Sequence, residues 1–203
     1  QLVRRYAPDS MLYTVMVHAA GLCHPHELTQ TMAVAPQEQP ISIQLFDCRP
    51  DFMAEAARMA EQEGALTVDI NMGCPVNKIT KKGGGSSLLR DPYTACDIVR
   101  TVAAAVSVPV TVKTRIGWDE ADINAVEFAL AIQAAGAQML TLHGRTRAQG
   151  YHGSARWEWI SRVKQALDIP VIANGDIFSV QAAVDCLKMT GADGVMCSRG
   201  TLG

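Results

Sequence analysis

Apolar residues gather in short runs, at residues 11–16, 41–46, 66–70, 108–113, 139–143, 169–173 and 194–197. Runs of this length, bounded by polar residues, Gly and Pro, predict β-strands. Between them, residues 50–63, 93–106, 121–135, 157–167 and 180–189 repeat apolar positions at helical spacing. Gly64, Gly136 and Gly191 fall just past such stretches, where helix C-terminal glycines belong. Apolar strands that alternate with helices predict an α/β domain with a parallel sheet covered on both faces. A doubly wound sheet usually opens with a glycine-rich dinucleotide loop, and no G-x-G-x-x-G occurs here. The expected fold is therefore a TIM (β/α)8 barrel, incomplete, with about seven of its eight strands. The chain has 203 residues, lacks an initiator Met and stops at Arg199-Gly200-Thr201-Leu202-Gly203, where the last barrel helix should begin. The expectation is one catalytic domain, residues 1–203, truncated at both ends and lacking its first strand.

Composition narrows the setting. With 48% hydrophobic and 19% charged residues, the chain is rich enough in apolar groups to fill one sizeable core. A net charge of −2 carries no electrostatic signature of a nucleic-acid partner. The six cysteines (Cys23, Cys48, Cys74, Cys96, Cys186, Cys197) form no C-x-x-C pair, so neither a disulfide framework nor a metal site is expected, and the compartment reads as reducing and cytoplasmic. No apolar run approaches the roughly 20 residues that span a bilayer, and Gln1-Leu2-Val3-Arg4-Arg5 does not begin a signal peptide.

The chemistry gathers at one end of the predicted strands. Gln44, Asn71, Cys74, Lys113, Arg115, His143, Arg145, Asn174, Asp176, Ser198 and Arg199 all lie at or just after a strand's C-terminal end, the rim on which barrel active sites are built. Cys74 sits where an apolar strand breaks into a loop of Gly, Pro and Lys, a turn composition that exposes the thiol to a ligand. Asn174-Gly175-Asp176-Ile177, before a helix that Ser179 is placed to cap, and Ser198-Arg199-Gly200 together read as an anion cradle. Lys113 carries its charge out of an apolar strand and needs a negative partner, either a cofactor ring that turns anionic on reduction or a carboxylate on the rim.

Longer stretches resemble one family. Asp69-Ile70-Asn71-Met72-Gly73-Cys74-Pro75, followed by Lys81-Lys82-Gly83-Gly84-Gly85-Ser86-Ser87-Leu88-Leu89-Arg90-Asp91-Pro92, is similar to the signature of the tRNA dihydrouridine synthases, closest to the bacterial branch. Val112-Lys113-Thr114-Arg115-Ile116-Gly117-Trp118, His143-Gly144-Arg145-Thr146-Arg147, Gln149-Gly150-Tyr151 and Ile172-Ala173-Asn174-Gly175-Asp176-Ile177 resemble the same family. The resemblance implies an FMN-bearing barrel that uses NADPH to reduce particular uridines of tRNA to 5,6-dihydrouridine, as a monomer when complete. It implies Cys74 as the proton donor to C5, a task that suits a thiol of ordinary acidity, about 8.5. It further implies that Gln44, Lys113 and His143 contact the flavin ring while Asn174, Gly175, Asp176, Ser198, Arg199 and Gly200 surround its phosphate. Asn71 and Arg145 would lie near the target base. A base within folded RNA must be turned out to be reached, and Lys78, Lys81, Lys82 and Arg90 would meet the flanking phosphates.

Three departures accompany the resemblance. Tyr13-Thr14-Val15-Met16 carries Val15 where the family has an acidic residue, Asp47 replaces a Gly after Gln44-Leu45-Phe46, and the family's opening strand, which helps hold FMN, is missing. Two rivals follow: a dihydroorotate dehydrogenase-like flavin barrel acting on a free pyrimidine, and an inactive remnant that only binds RNA. The Lys-rich loop behind Cys74 argues for a polynucleotide substrate.

Overall fold

A computed structural model describes residues 2–23 and 30–201, and its frame is a parallel sheet with seven strand positions. β1 (Leu12–Tyr13) and β2 (Val17–His18) share the first position, since both pair with β3 (Ile41–Phe46), Leu12 opposite Ile41 and Val17 opposite Leu45. The first strand thus uses one residue more than its partner, as at a bulge, and Thr14 spans the gap. Its N–H donates to Ser42 O at 3.0 Å and its Oγ1 accepts the Gln44 N–H at 3.1 Å. β4 (Thr67–Met72) and β5 (Val110–Arg115) continue the sheet, and β5 runs into an antiparallel hairpin of β6 (Gly117–Asp119) and β7 (Asp122–Ile123). β8 (Met139–His143), β9 (Val171–Asn174) and β10 (Gly194–Met196) complete it, each parallel to its neighbour. Among the described residues the sheet is open, with β1 and β2 at one edge and β10 at the other.

The helices follow from the apolar spacing. After α1 (Leu2–Tyr6) come α2 (Pro50–Gln62), the single turn α3 (Asn77–Thr80), α4 (Pro92–Ala105), α5 (Ala125–Ala134), α6 (Trp157–Ala166) and α7 (Val180–Thr190). The buried face of α2 is nearly all alanine (Ala54, Ala56, Ala57, Ala60, with Met53), which lets the helix lie close against its neighbours. Strand residues alternate between two environments. Ile43, Leu45, Val68, Ile70, Val110, Val112, Leu140 and Leu142 join one apolar core with the helices. Full burial of each such side chain contributes roughly 1.5–3 kcal/mol. Gln44, Asp69, Asn71 and Thr111 occupy the opposite face, where they bond to one another.

Local signals act as expected. Ser179 caps α7 by accepting the Ala182 N–H at 3.0 Å, and the structure adds a cap of α4 by Asp91, which accepts the Thr94 N–H. Gly64, Gly136 and Gly191 all take positive φ past helix ends. Other boundaries differ from expectation. The strands expected at 66–70, 108–113 and 169–173 start later and run on through polar residues to Met72, Arg115 and Asn174. The helix expected from 121 begins at Ala125, because the Asp119 carboxylate accepts the Ala121 N–H at 2.9 Å and closes the β6–β7 turn. A Cβ on Gly117 would stand 2.3 Å from Asp122 O, so that hairpin requires glycine.

Candidate active site at the carboxyl ends of the strands

The Cys74 loop hangs from the end of β4. Asn71 Oδ1 accepts the N–H groups of Gly73 at 3.1 Å and Cys74 at 2.9 Å, an Asx-type turn that sets the loop's direction. The far side of the loop is tied down as well: Cys74 O accepts from Ser86 N at 3.1 Å and from Ser86 Oγ at 2.9 Å. A Cβ on Gly85 would come within 2.8 Å of Cys74 O, and with φ +59° that position suits only glycine. Cys74 is thereby held half-buried at the rim.

Arg115 and Lys113 end β5 beside this loop, and His143 ends the neighbouring β8. Arg115 is buried, with Nε donating to Gly73 O at 2.8 Å and Nη1 to Thr146 O and Gly150 O, so it fastens the Cys74 loop to the loop after β8. Lys113 Nζ donates to Asn174 Oδ1 at 3.1 Å, and among the described residues it forms no ion pair. Burial lowers its pKa to about 8, Asp69 pulling it back up and Arg115 pushing it further down. His143 is 6% exposed, and burial, reinforced by Arg115, Lys113, Arg145 and Arg199, drives its pKa to about 2. It is therefore a neutral imidazole. Its Nε2 faces Arg145 Nη1 at 3.4 Å; a guanidinium can only donate, so Nε2 is the acceptor and Nδ1 carries the proton.

The loops after β9 and β10 form the second half of the site. Asn174 joins them, donating from Nδ2 to Met196 O at 2.8 Å and to Ser198 Oγ at 3.3 Å while its Oδ1 takes Lys113. Gly175 has φ +111°, and a Cβ there would meet His143 Cδ2 and Ala155 Cβ, each at 2.8 Å. A Cβ on Gly200 would come within 2.2 Å of Ile177 O, so the two loops touch backbone to backbone. Asp176, at φ +60°, binds Arg145 at 2.8 Å and accepts Ala155 N at 2.7 Å. Arg145 is almost wholly buried; it also reaches His152 O and Gly153 O, so its donors are spent on the loop after β8 and on Asp176. Arg199 is exposed, with its guanidinium 4.5 Å from the Tyr151 ring centroid and 5.5 Å from that of Phe178. Ser198 and Gly200 are exposed beside it.

Gln44, Asn71, Cys74, Lys113, His143, Arg145 and Asn174 thus belong to one bonded neighbourhood, with Gly175, Asp176, Ser198, Arg199 and Gly200 on its flank. Lys78 and Lys81 are exposed on the segment after Cys74. Lys78 and Lys82 line a cavity of about 350 Å³ with His18, Phe46, Asp47, Val76 and Ile79. In its wall, His18 stacks on Phe46 with ring centroids 4.6 Å apart, and Asp47 is paired with Arg49 at 2.7 Å. Sequence reasoning missed Asp69 and Thr111, which are buried beneath the rim and bonded to each other. Their signal was available: each stands two residues before a chosen site residue, Asn71 or Lys113, and so shares its face.

Comparison with known proteins agrees on the family. The family profile described as dihydrouridine synthase (Dus) matches residues 1–203. "Probable tRNA-dihydrouridine synthase 1" of Synechocystis sp. is 73% identical over 203 residues, covering 100% of this chain and 57% of the relative. "Probable tRNA-dihydrouridine synthase" of Rickettsia prowazekii is 42% identical, covering 100% and 62%, and "tRNA-dihydrouridine synthase B" of Pseudomonas syringae is 40% identical, covering 100% and 60%. The chain therefore spans about three fifths of the length of these curated relatives. An active chimera of (S)-mandelate dehydrogenase superposes with a TM-score of 0.61 at 13% identity, covering 94% of this chain and 67% of that one, which shows a shared fold.

Proposed function

The chain belongs to the dihydrouridine synthase family, and from that premise we propose that it reduces uridines of tRNA to 5,6-dihydrouridine, with FMN as cofactor, NADPH as reductant and Cys74 as proton donor. The observation that carries this reading is the Cys74 loop, pinned by Asn71 and Ser86 beside a half-buried lysine without an ion pair among the described residues. The residues suit a flavin. Lys113 offers a positive charge to a ring that turns anionic, and His143 offers an N–H without adding charge. Gln44 completes the ring contacts. Arg199 and Ser198 are exposed at the joined loops of Asn174, Gly175 and Gly200, where a phosphate needs donors. Asp176, a poor neighbour for an anion by itself, is neutralised by Arg145.

Bound FMN would supply a hydride to C6 of uracil. The ring then carries enolate character at C5, and Cys74 Sγ–H delivers the proton there as general acid. Asn71 fixes the backbone from which the thiol projects. Arg145, with its donors engaged, acts near the base by holding the loop of Gly153 and Ala155 in place. Lys78 and Lys81, exposed beside the cavity, meet phosphates next to the flipped uridine, while Tyr151, 58% exposed, presents a ring face near His143. No helix among the described residues is long and apolar enough to cross a membrane, and the reading sets the protein in the cytoplasm, as a monomer, with tRNA.

The test is direct. Incubate the chain with FMN, NADPH and an unmodified tRNA transcript, digest the RNA and measure dihydrouridine by mass spectrometry, with free uracil and orotate in parallel. The reading expects FMN binding and product in tRNA alone. Turnover of orotate without product in tRNA would replace it with a free-pyrimidine reductase.

A further inference from the structure

Asp69 is fully buried, yet the proposed chemistry gives it no task. The hydrogen bonds around it all run one way. Asn71 Oδ1 accepts two backbone N–H groups, from Gly73 and Cys74, and an N–H can only donate. The amide of Asn71 must therefore turn its oxygen to the loop and its nitrogen away. That nitrogen donates to Gln44 Oε1 at 2.9 Å, so Gln44 points Nε2 the other way, where it donates to Asp69 Oδ2 at 2.7 Å. Asp69 Oδ1 accepts from Thr111 Oγ1. Read from the loop, an acceptor is needed at the far end, and the Asp69 carboxyl supplies it, one oxygen facing the Gln44 amide nitrogen and the other the Thr111 hydroxyl. The two backbone N–H groups of the loop fix that direction.

We propose that Asp69 is a positioning residue: its carboxylate orients the Gln44 amide, Gln44 orients Asn71, and Asn71 holds the Cys74 loop with both N–H groups engaged. Burial raises the Asp69 carboxyl above its usual range, and the Thr111 and Gln44 bonds and the Lys113 charge offset that only in part. Lys113 thus offsets the buried charge from the next strand. The register places these groups side by side, Gln44 opposite Asp69 and Asp69 opposite Thr111. Only the consequence for catalysis rests on Cys74 being the proton donor; the orientation itself needs neither flavin nor RNA.

The test reads backbone amide hydrogen exchange by NMR in the 203-residue chain, with the Val68 and Ile70 amides of β4 as a control for the fold. Asp69→Leu removes the acceptor, and Gln44→Lys keeps a donor toward Asp69 but also turns a donor toward Asn71. Each should speed exchange at Gly73 and Cys74 by about tenfold, the size of one hydrogen bond lost, while Val68 and Ile70 stay slow. The double variant Asp69→Asn with Gln44→Glu moves the carboxylate one position along and still presents an acceptor to Asn71, so exchange at Gly73 and Cys74 should return to within a few-fold of the parent. If Asp69→Leu unfolds the chain, Gln44→Lys and the double variant still decide the matter. The proposal is overturned if Gly73 and Cys74 stay as slow in Gln44→Lys as in the parent, or if the folded double variant loses them as Gln44→Lys does.

Discussion

His143 stays neutral in the folded chain because burial and the cations Arg115, Lys113, Arg145 and Arg199 all oppose its protonation. Unfolding releases it to a pKa near 6.5, so below that pH the unfolded chain binds a proton that the native chain does not. Stability should fall as pH drops from about 6.5 toward 2, by about 2 kcal/mol from this one group at pH 5. Thermal melts of the parent and of His143→Gln at pH 7 and pH 5 check this: the loss of Tm between the two should be smaller in the variant. At this scale the sequence was informative about which residues matter and silent about how they are used. Lys113, His143 and Asn174 are visible as polar residues ending apolar strands. That Arg145 spends its guanidinium on loop carbonyls and Asp176 depends on residues eight and thirty-one positions away. No local pattern encodes that.

Helix ends were legible where a side chain closes them locally. Ser179 is such a case, and Ser179→Ala should cost about 1 kcal/mol, read as a lowered midpoint in urea at unchanged slope. Strand ends were legible for β3 and β8, which match 41–46 and 139–143, and not for β4, β5 and β9, for a physical reason. The strand expected at 108–113 ends at the charged Lys113, but β5 continues through Thr114 and Arg115, because the Arg115 guanidinium is satisfied by Gly73, Thr146 and Gly150 on other elements. The β6–β7 hairpin was hidden similarly, since Ala121 and Ile123 fit a helical period and only the Asp119 turn excludes them. Gly200 marks where two elements meet. Gly200→Ala would force the loops after β9 and β10 apart, so FMN affinity should weaken more than thermal stability does.

Across the whole molecule, the parallel sheet with its helices is what the alternation of strand and helix predicts, and the seven strand positions match the expected number. The sheet is not uniform. β4, β5 and β8 are paired on both sides and backed by fully buried residues such as Ile70, Val112 and Leu142, whereas β1, β2 and β10 are edge segments of two or three residues. Hydrogen exchange followed by mass spectrometry should show β1, β2 and β10 exchanging first and β4, β5 and β8 last. Uniform protection across the sheet would contradict that gradient.

In the proposed reaction Cys74 is the acid that completes uridine reduction, and one variant isolates that role. Cys74→Ala, compared with the parent for bound flavin, NADPH oxidation and dihydrouridine in tRNA, separates proton donation from binding. The variant should keep FMN and still be reduced by NADPH, while dihydrouridine formation falls by ~10²–10⁴, the range for a lost general acid. Undiminished dihydrouridine formation, or loss of flavin together with activity, would rule out Cys74 as the proton donor.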